Sequence, residues 1–178
     1  MDYATNAGGV LVPAFTPFQL GGVFTVEHMR NGELIDTWET PNIVTNEGLN
    51  HVLNVEFRST TQVATWYVGL FEGNYTPVST VTAATITAAS TECIAYDETV
   101  RQTYTTVAAT AQVLTNAAAK ATFTMNATKT IYGAFLVSAS AKSATTGVLF
   151  AAAQFSASKA VVATDQLLVT YAITASSV

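Results

Sequence analysis

The feature that most constrains this chain is the alternation of apolar and threonine side chains in its second half. Ala121, Phe123 and Met125 alternate with threonine and asparagine, and a similar pattern runs through residues 166–174. Because successive side chains of a strand point to opposite faces, the alternation predicts sheet with one apolar face and one threonine-coated face. The chain has 30 Thr and 29 Ala among 178 residues. Threonine favours strands without adding charge, so the outer sheet faces are predicted to be unusually neutral.

A hairpin is predicted near the N-terminus. Alternation through Phe24, Val26 and His28 reaches Asn31-Gly32 and then resumes. Asn-Gly between two such runs indicates a type I′ turn, which needs positive φ at both central residues. Pro41 is expected to end the second strand or to place it at a sheet edge. The predicted strands are 22–30, 33–39, 66–71, 92–97, 100–108, 111–115, 120–126, 130–139, 146–155 and 166–174.

These strands, separated by small polar residues, predict an all-β fold, an antiparallel β-sandwich or jelly-roll. The run 66–71 is apolar on both faces and is predicted to be a central strand. One short helix is predicted over 47–57, where Leu49, Val52, Leu53 and Phe57 form an apolar stripe after an Asn46 cap. We expect that stripe to dock on a sheet. The Thr/Ala-rich stretch 79–91 fits either a loop or a single helical turn.

Residues 1–20 are predicted to be an extended arm, and residues 21–178 a single β-sandwich domain. Gly8, Gly9, Pro13 and Pro17 are expected to prevent regular structure in the arm, yet its apolar residues disfavour full exposure to water. The arm therefore lies on its own domain or on a neighbouring subunit. The residues that we predict to contact a neighbour are Val12, Pro13, Phe15, Pro17 and Phe18.

Charge excludes some classes of partner. The net charge is −5 and only 11% of residues are charged, which argues against binding to nucleic acid. No apolar run approaches the length of a membrane helix, so no membrane-spanning segment is expected. No Lys or Arg precedes an apolar segment at the N-terminus, so no secretory signal is expected.

The charge is distributed unevenly: residues 1–98 carry a net charge of −9 and residues 99–178 carry a net charge of +4. The halves either pair within one domain or promote contacts between subunits.

Few residues suit catalysis. His28 and His51 are candidate bases or ligands, but a lone surface histidine is usually neither. Glu27 and Asp36 are candidates for a carboxylate pair or a calcium site across the hairpin, although a solvated edge is the better interpretation. The only cysteine, Cys93, is predicted to be a small core residue. We therefore expect no catalytic residue, no cofactor and no metal site.

Two further groups have simple structural interpretations. Arg101 follows Asp97 and Glu98, which predicts a weak local ion pair. A cluster of aromatic residues allows a sugar-stacking platform, but alternation places its members on different faces, so core packing is favoured. The residues of that cluster are Trp66, Tyr67, Phe71 and Tyr75.

Two blocks of sequence resemble virion structural proteins of tailed bacteriophages. The first comprises residues 26–39 (VEHMRNGELIDTWE), 41–50 (PNIVTNEGLN) and 65–71 (TWYVGLF). The second comprises residues 133–138 (GAFLVS), Lys142, 145–149 (TTGVL) and 165–171 (DQLLVTY). Within that group the pattern is similar to capsid cement or decoration proteins of short-tailed Bordetella-type phages, which have a jelly-roll fold.

The resemblance implies a non-enzymatic protein on the outer surface of the capsid, assembled in the bacterial cytoplasm. Its implied partners are the major capsid protein and copies of itself, as a dimer or trimer. Two alternatives remain at this point: a tail or fibre adhesin that binds host glycans, and a virion-borne hydrolase that uses a carboxylate pair such as Glu27 with Asp36.

Overall fold

The computed structural model describes the backbone of residues 3–5, 11–13 and 18–177, and the side chains of residues 18–177. Two antiparallel sheets face each other and two helices flank them, so the predicted all-β sandwich is confirmed. The strands are Tyr3–Thr5 (β1), Leu11–Pro13 (β2), Phe18–Arg30 (β3), Glu33–Pro41 (β4), Ile43–Val44 (β5), Tyr67–Phe71 (β6), Glu92–Cys93 (β7), Gln102–Thr103 (β8), Val113–Thr115 (β9), Ala121–Thr124 (β10), Lys129–Val137 (β11), Leu149–Val161 (β12) and Gln166–Ser177 (β13). The helices are Asn46–Arg58 (α1) and Ala83–Ser90 (α2).

The first sheet has the strand order β10-β13-β3-β4, and β9 also pairs with β13. The second has the order β5-β12-β11-β6-β7, and β8 also pairs with β6. Strands β1 and β2 form a separate two-stranded ladder. The longest pairing joins β3 to the last strand, from Met29 opposite Gln166 to Phe18 opposite Ser177. The two ends of the described domain are therefore fixed side by side.

The predicted hairpin is confirmed. Asn31 has φ 51° and Gly32 has φ 80°, and Arg30 pairs with Glu33 across the two-residue turn. Strand β4 ends at Pro41 and lies at the edge of its sheet. Proline lacks the N–H that an inner ladder would need, so this edge position suits it.

The predicted arm requires two corrections. Phe18–Leu20 belong to β3 and pair with Ala175–Ser177, so the regular structure begins before residue 21. Tyr3–Thr5 and Leu11–Pro13 pair as short strands, so the expectation that the arm forms no regular element is wrong there. Proline at the end of β2 is compatible with this, because an end position needs no central ladder bond.

The core has two parts. The main cluster fills the space between the sheets and contains Phe24, Val26, Phe123 and Tyr171. The second cluster lies on the other face of the second sheet, where Ile86 of α2 packs with Phe71 and Phe135. Strand β6 contributes to both clusters, which confirms that residues 66–71 include a strand that is apolar on both faces.

Several strand boundaries differ from the predictions. Segments 92–97 and 100–108 contain only the two-residue strands β7 and β8. Tyr96 instead forms an isolated bridge with Met125, because the chain here turns between the sheets. Strand β12 extends to Val161, and the short strand β5 was not predicted. Segment 79–91 contains the two-turn helix α2, which exceeds the single turn considered from sequence.

Candidate interaction surface

Helix α1 is fixed to the sandwich at its N-terminal turn. The N-cap is Thr45, not the predicted Asn46: its hydroxyl accepts from the N–H of Gly48 at 3.0 Å and donates to the carbonyl of Leu149. Glu47 Oε2 accepts from the N–H of Ala83 at 2.8 Å and from that of Leu149 at 2.7 Å. One carboxylate therefore joins the start of α1 to α2 and to β12.

Gly48 allows the close approach of this turn to β12. A Cβ at position 48 would lie 2.6 Å from the carbonyl oxygen of Phe150 and 2.9 Å from its Cα. Both neighbours are backbone atoms, which cannot move aside as a flexible side chain would. Gly48 is also the buried residue of the helix, so the closest contact with the sheet is made by backbone.

The apolar stripe of α1 faces outwards. Leu49 is 39% exposed, Leu53 is 54% exposed and Phe57 is 77% exposed. The expectation that this stripe docks on a sheet is therefore wrong for these three residues, whereas Val52, its fourth member, is half-buried and packs against the main core cluster. The side that faces the sandwich carries Gly48 and the half-buried Val52, one turn further on.

The exposed stripe continues onto the start of β3. Phe18 is 66% exposed and Val23 is 36% exposed, and both line the same shallow depression as Leu49. We call the set Phe18, Val23, Leu49, Leu53 and Phe57 the α1 surface. Contiguous exposed apolar groups of this kind are typical of an interaction site in a soluble protein.

A cleft opens beneath the C-terminal half of α1. Its volume is about 310 Å³, and its walls include Val52 and Val55 of the helix and Trp66 and Phe150 of the sandwich. His51 lies at its edge, with its ring 5.6 Å from that of Trp66. The helix therefore has apolar residues towards the cleft and towards solvent, a pattern expected when a helix is buried on more than one side.

The candidate carboxylate pair is not formed. The β3–β4 register places His28 opposite Asp36 and Glu27 opposite Thr37, so Glu27 and Asp36 are not facing partners. Glu27 accepts a hydrogen bond from Lys120 at 2.6 Å, and Asp36 accepts one from Lys159 at 2.9 Å. The Lys159 ammonium lowers the pKa of the Asp36 carboxyl, which favours a charged, solvated edge.

His28 belongs to a buried polar cluster and is not a surface residue. Its Nε2 lies 2.8 Å from Oδ2 of Asp165, which is fully buried. Arg30 donates to both oxygens of Asp165, at 2.8 and 2.7 Å, and the N–H of Val162 donates at 2.9 Å. Hydrogen bonding from Arg30 lowers the pKa of Asp165 strongly, despite burial. This cluster fixes the β12–β13 turn to β3.

Arg101 pairs with a different carboxylate from the one predicted. Its guanidinium donates to both oxygens of Glu92 at 2.7 Å, and both side chains are buried. It also donates to the carbonyls of Ala139 and Ala144, at 2.9 and 3.1 Å. Glu98 accepts instead from the N–H of Thr124. The pair is a buried bidentate contact, so the expected local surface pair is not formed.

The two oppositely charged halves of the chain pair with each other. Each ion pair found within residues 18–177 joins a residue of 1–98 to a residue of 99–178. Of the two alternatives that the charge distribution left open, pairing within one domain describes these residues. The cationic groups in those pairs therefore already have partners within the domain.

The remaining candidates lie apart from the α1 surface. Cys93 is buried, as predicted, and burial raises the pKa of its thiol. Phe71 is buried in the second core cluster, so Trp66 and Phe71 do not share a platform. Within residues 18–177 no group of three His, Cys, Asp or Glu side chains is arranged to hold a metal ion.

Of the predicted arm contacts, only Phe18 is described with its side chain, and it is exposed. Val12 and Pro13 lie in β2, and their side chains fall outside the described residues. Phe15 and Pro17 lie outside them altogether. Sequence reasoning missed the α1 surface as an exposed feature, although Gly48 signals the contact that turns the stripe outwards.

Comparison with known proteins gives no further assignment. No protein-family model matches the chain, and no curated protein matches it. In the part of the chain that the structure describes, no helix is long and apolar enough to cross a membrane.

Proposed function

We propose that this chain is a non-enzymatic structural protein of a tailed-bacteriophage virion. Its role is that of a capsid cement or decoration protein on the outer surface of the head, where it bridges subunits of the major capsid protein. The expectation comes from the resemblance of two blocks of the sequence to proteins of this group. The first block comprises residues 26–39, 41–50 and 65–71, and the second comprises residues 133–138, Lys142, 145–149 and 165–171. The single structural observation that supports it best is the α1 surface, an exposed apolar area beside the point where the N-terminal segment enters the sandwich.

The electrostatics of the domain support a binding role. Ion pairs within the domain engage Arg30, Arg101, Lys120, Lys129 and Lys159. Lys142 donates to the carbonyls of Ile94 and Tyr96, at 3.1 and 2.8 Å. Among residues 18–177, Arg58 in the last turn of α1 is the basic side chain that these contacts do not engage. Recognition of a partner then depends mainly on apolar contacts and on backbone, as in stable protein interfaces.

Copy number is the first test of the proposed function. A cement protein is present in hundreds of copies per particle, whereas an adhesin of the tail or fibre is present in few. We expect stain densitometry of purified particles to give a ratio to the major capsid protein typical of a shell component. A handful of copies, together with measurable glycan binding, would overturn the proposal in favour of the adhesin.

A binding experiment tests the N-terminal contact. The full-length chain is added to heads assembled without it, and bound protein is measured after sedimentation. Phe15→Ser with Phe18→Ser is expected to weaken binding at least about tenfold, because apolar anchors dominate such interfaces. Ile94→Ser is the matched control, since Ile94 is 50% exposed and lies beside Lys142, away from the α1 surface. Equal binding by both variants would exclude the N-terminal segment from the interface.

A further inference from the structure

We propose that the cleft beneath the C-terminal half of α1 binds a small amphiphilic cation, namely a primary amine with an apolar body. The apolar body fills the cleft, and the ammonium group lies at its mouth beside Glu56. The inference goes beyond the proposed function, because it concerns the isolated chain. It can fail while shell binding succeeds, and the reverse.

The deepest part of the cleft suits an apolar body. It is formed by Leu136, Phe150 and Tyr104 of the main core cluster, each at most 6% exposed. The hydroxyl of Tyr104 donates to the carbonyl of Tyr171 at 2.9 Å, so its proton is already engaged. A polar group placed here would lose its hydrogen bonds to water, whereas an apolar group gains free energy by leaving water.

The size of the cleft limits the ligand to a small molecule. The volume of about 310 Å³ is at the lower end of the range found for ligand sites. Because a group of the size of water occupies about 30 Å³, the cleft holds roughly ten non-hydrogen atoms. A phenyl ring joined through a propyl chain to one amine nitrogen has this size.

The mouth of the cleft carries an acidic group that attracts a cation. Glu56 lines the cleft near the end of α1 and is exposed. Among residues 18–177 no ion pair engages it. Arg58 is two positions further along the helix, and residues at that spacing do not face each other, so Arg58 does not cover Glu56. The carboxylate is therefore accessible to a ligand in the cleft.

Two further features of the mouth favour a positive charge. Helix α1 ends at Arg58, so the negative end of its dipole lies on the same side of the cleft as Glu56. The half-buried Trp66 forms part of the facing wall, and the face of an indole ring attracts an ammonium group. The carboxylate, the helix end and the ring all favour an amine over a neutral or anionic ligand of the same shape.

An NMR titration of the full-length chain with 3-phenylpropylamine tests the proposal. The two tryptophans give separate indole N–H signals, and Trp66 lines the cleft whereas Trp38 does not. At pH 8, where histidine is ordinarily neutral, we expect the signal of Trp66 to shift and that of Trp38 to stay unchanged. The expected dissociation constant is below about 1 mM. The neutral probe of matched shape, 3-phenylpropan-1-ol, should bind at least about threefold more weakly.

Two results of the titration would overturn the proposal. One is equal affinity for the amine and the alcohol, which would remove the role of charge. The other is a Trp66 signal that stays unchanged up to about 10 mM amine. That result is expected if an apolar side chain, from elsewhere in this chain or from a second copy, fills the cleft.

Substitutions separate the charge from the cavity. Glu56→Gln is expected to weaken amine binding about three- to fivefold and to leave the binding of the alcohol unchanged. Glu33→Gln is the matched control, since Glu33 is exposed and lies opposite Arg30 at the far end of β3. Val55→Phe fills the cleft and should abolish the binding of both probes. If that variant is unstable, Leu114→Phe fills the cleft from the side of the sandwich. Amine binding that is unchanged by Glu56→Gln, or that persists in a stable filled variant, would contradict the proposed site.

Discussion

The two helices of this protein use their apolar residues in opposite ways. Helix α2 has no charged residue, and Ala83 and Ile86 are buried in the second core cluster. Helix α1 has an acidic first turn and a basic last turn, yet Leu53 and Phe57 on its apolar stripe are exposed. Helix α2, whose apolar residues show little periodicity, is thus a core element. Helix α1, whose apolar residues recur at helical spacing, is fixed to the sandwich mainly by its first turn.

The difference teaches that an apolar stripe identifies a contact surface without saying which molecule supplies the contact. On α2 the chain's own sheet supplies it. On α1 the contact with the sandwich is made by Gly48, by the hydrogen bonds of Glu47 and by the half-buried Val52. The exposed residues Leu49, Leu53 and Phe57 are left for another molecule. The two regions should therefore respond differently to substitution. Changes on the α2 side should lower the stability of the fold, whereas changes on the α1 side should weaken association with another molecule.

The largest effect is expected at Arg101, which packs 5.3 Å from the ring centre of Phe135 on the α2 side. Arg101→Met leaves the buried carboxylate of Glu92 without its cation. We expect the free energy of unfolding to fall by about 4 kcal/mol, as measured by urea denaturation. Adding Glu92→Gln to that variant should recover part of the loss, because the unpaired charge is then removed. A loss below about 1 kcal/mol for the single variant would mean that the pair is solvated.

A smaller loss is expected at Ile86, which is fully buried. Ile86→Ala removes three carbon atoms from the second core cluster and should lower the free energy of unfolding by about 3 kcal/mol. Leu53→Ala is the matched variant on α1 and, in dilute monomer, should change stability by no more than about 0.5 kcal/mol. Similar losses at the two positions would contradict the distinction between the helices.

Sequence patterns predicted the existence of α1 but not the face that it presents to the sandwich. The recurrence of Leu49, Leu53 and Phe57 identifies a helix without identifying a partner. The sequence of α2 does not distinguish a helix from a loop, because alanine and threonine give little periodicity. Its start is nevertheless encoded, since the side chain of Thr85 accepts from the N–H of Thr82. The pair of threonines three residues apart is the local sequence signal for this helix start.

The burial of His28 could be predicted from the sequence, whereas the partner of Arg101 could not. His28 shares the alternation of Phe24 and Val26, so its burial follows from the pattern already used for the strand. Its partner Asp165 lies 137 residues away, and only the β3–β13 register brings them together. Arg101 was assigned to nearby carboxylates because sequence favours local pairs, whereas the fold brings Glu92 to it. Long-range pairing is set by topology, which strand patterns alone do not determine.

An acid titration extends the comparison to the buried polar cluster. Hydrogen bonding from Arg30 lowers the pKa of Asp165 from 3.8. The charged Asp165 therefore stabilises the fold fully above pH 3.8, and this stabilisation is lost as the pH falls towards the pKa of Asp165 in the folded state. Between pH 6 and pH 2.5 we expect the wild type to lose about 2 kcal/mol more than Asp165→Asn does. Asp36→Asn is the control, since its exposed pair should contribute less than about 1 kcal/mol. Parallel pH profiles for wild type and Asp165→Asn would show that this cluster is not the acid-sensitive element.

The smallest effect on stability is expected at Phe57, the most exposed large apolar side chain of α1. Phe57→Gln replaces an aromatic ring with a residue of higher helix propensity, so the free energy of unfolding of dilute monomer should stay within about 0.5 kcal/mol of the wild type. The same change at a core aromatic such as Phe135 would be severe, because it buries an unpaired amide. Urea denaturation at low protein concentration separates folding from association. A loss above about 1.5 kcal/mol would place Phe57 against its own chain in solution, and the α1 surface would then be part of the monomer's core.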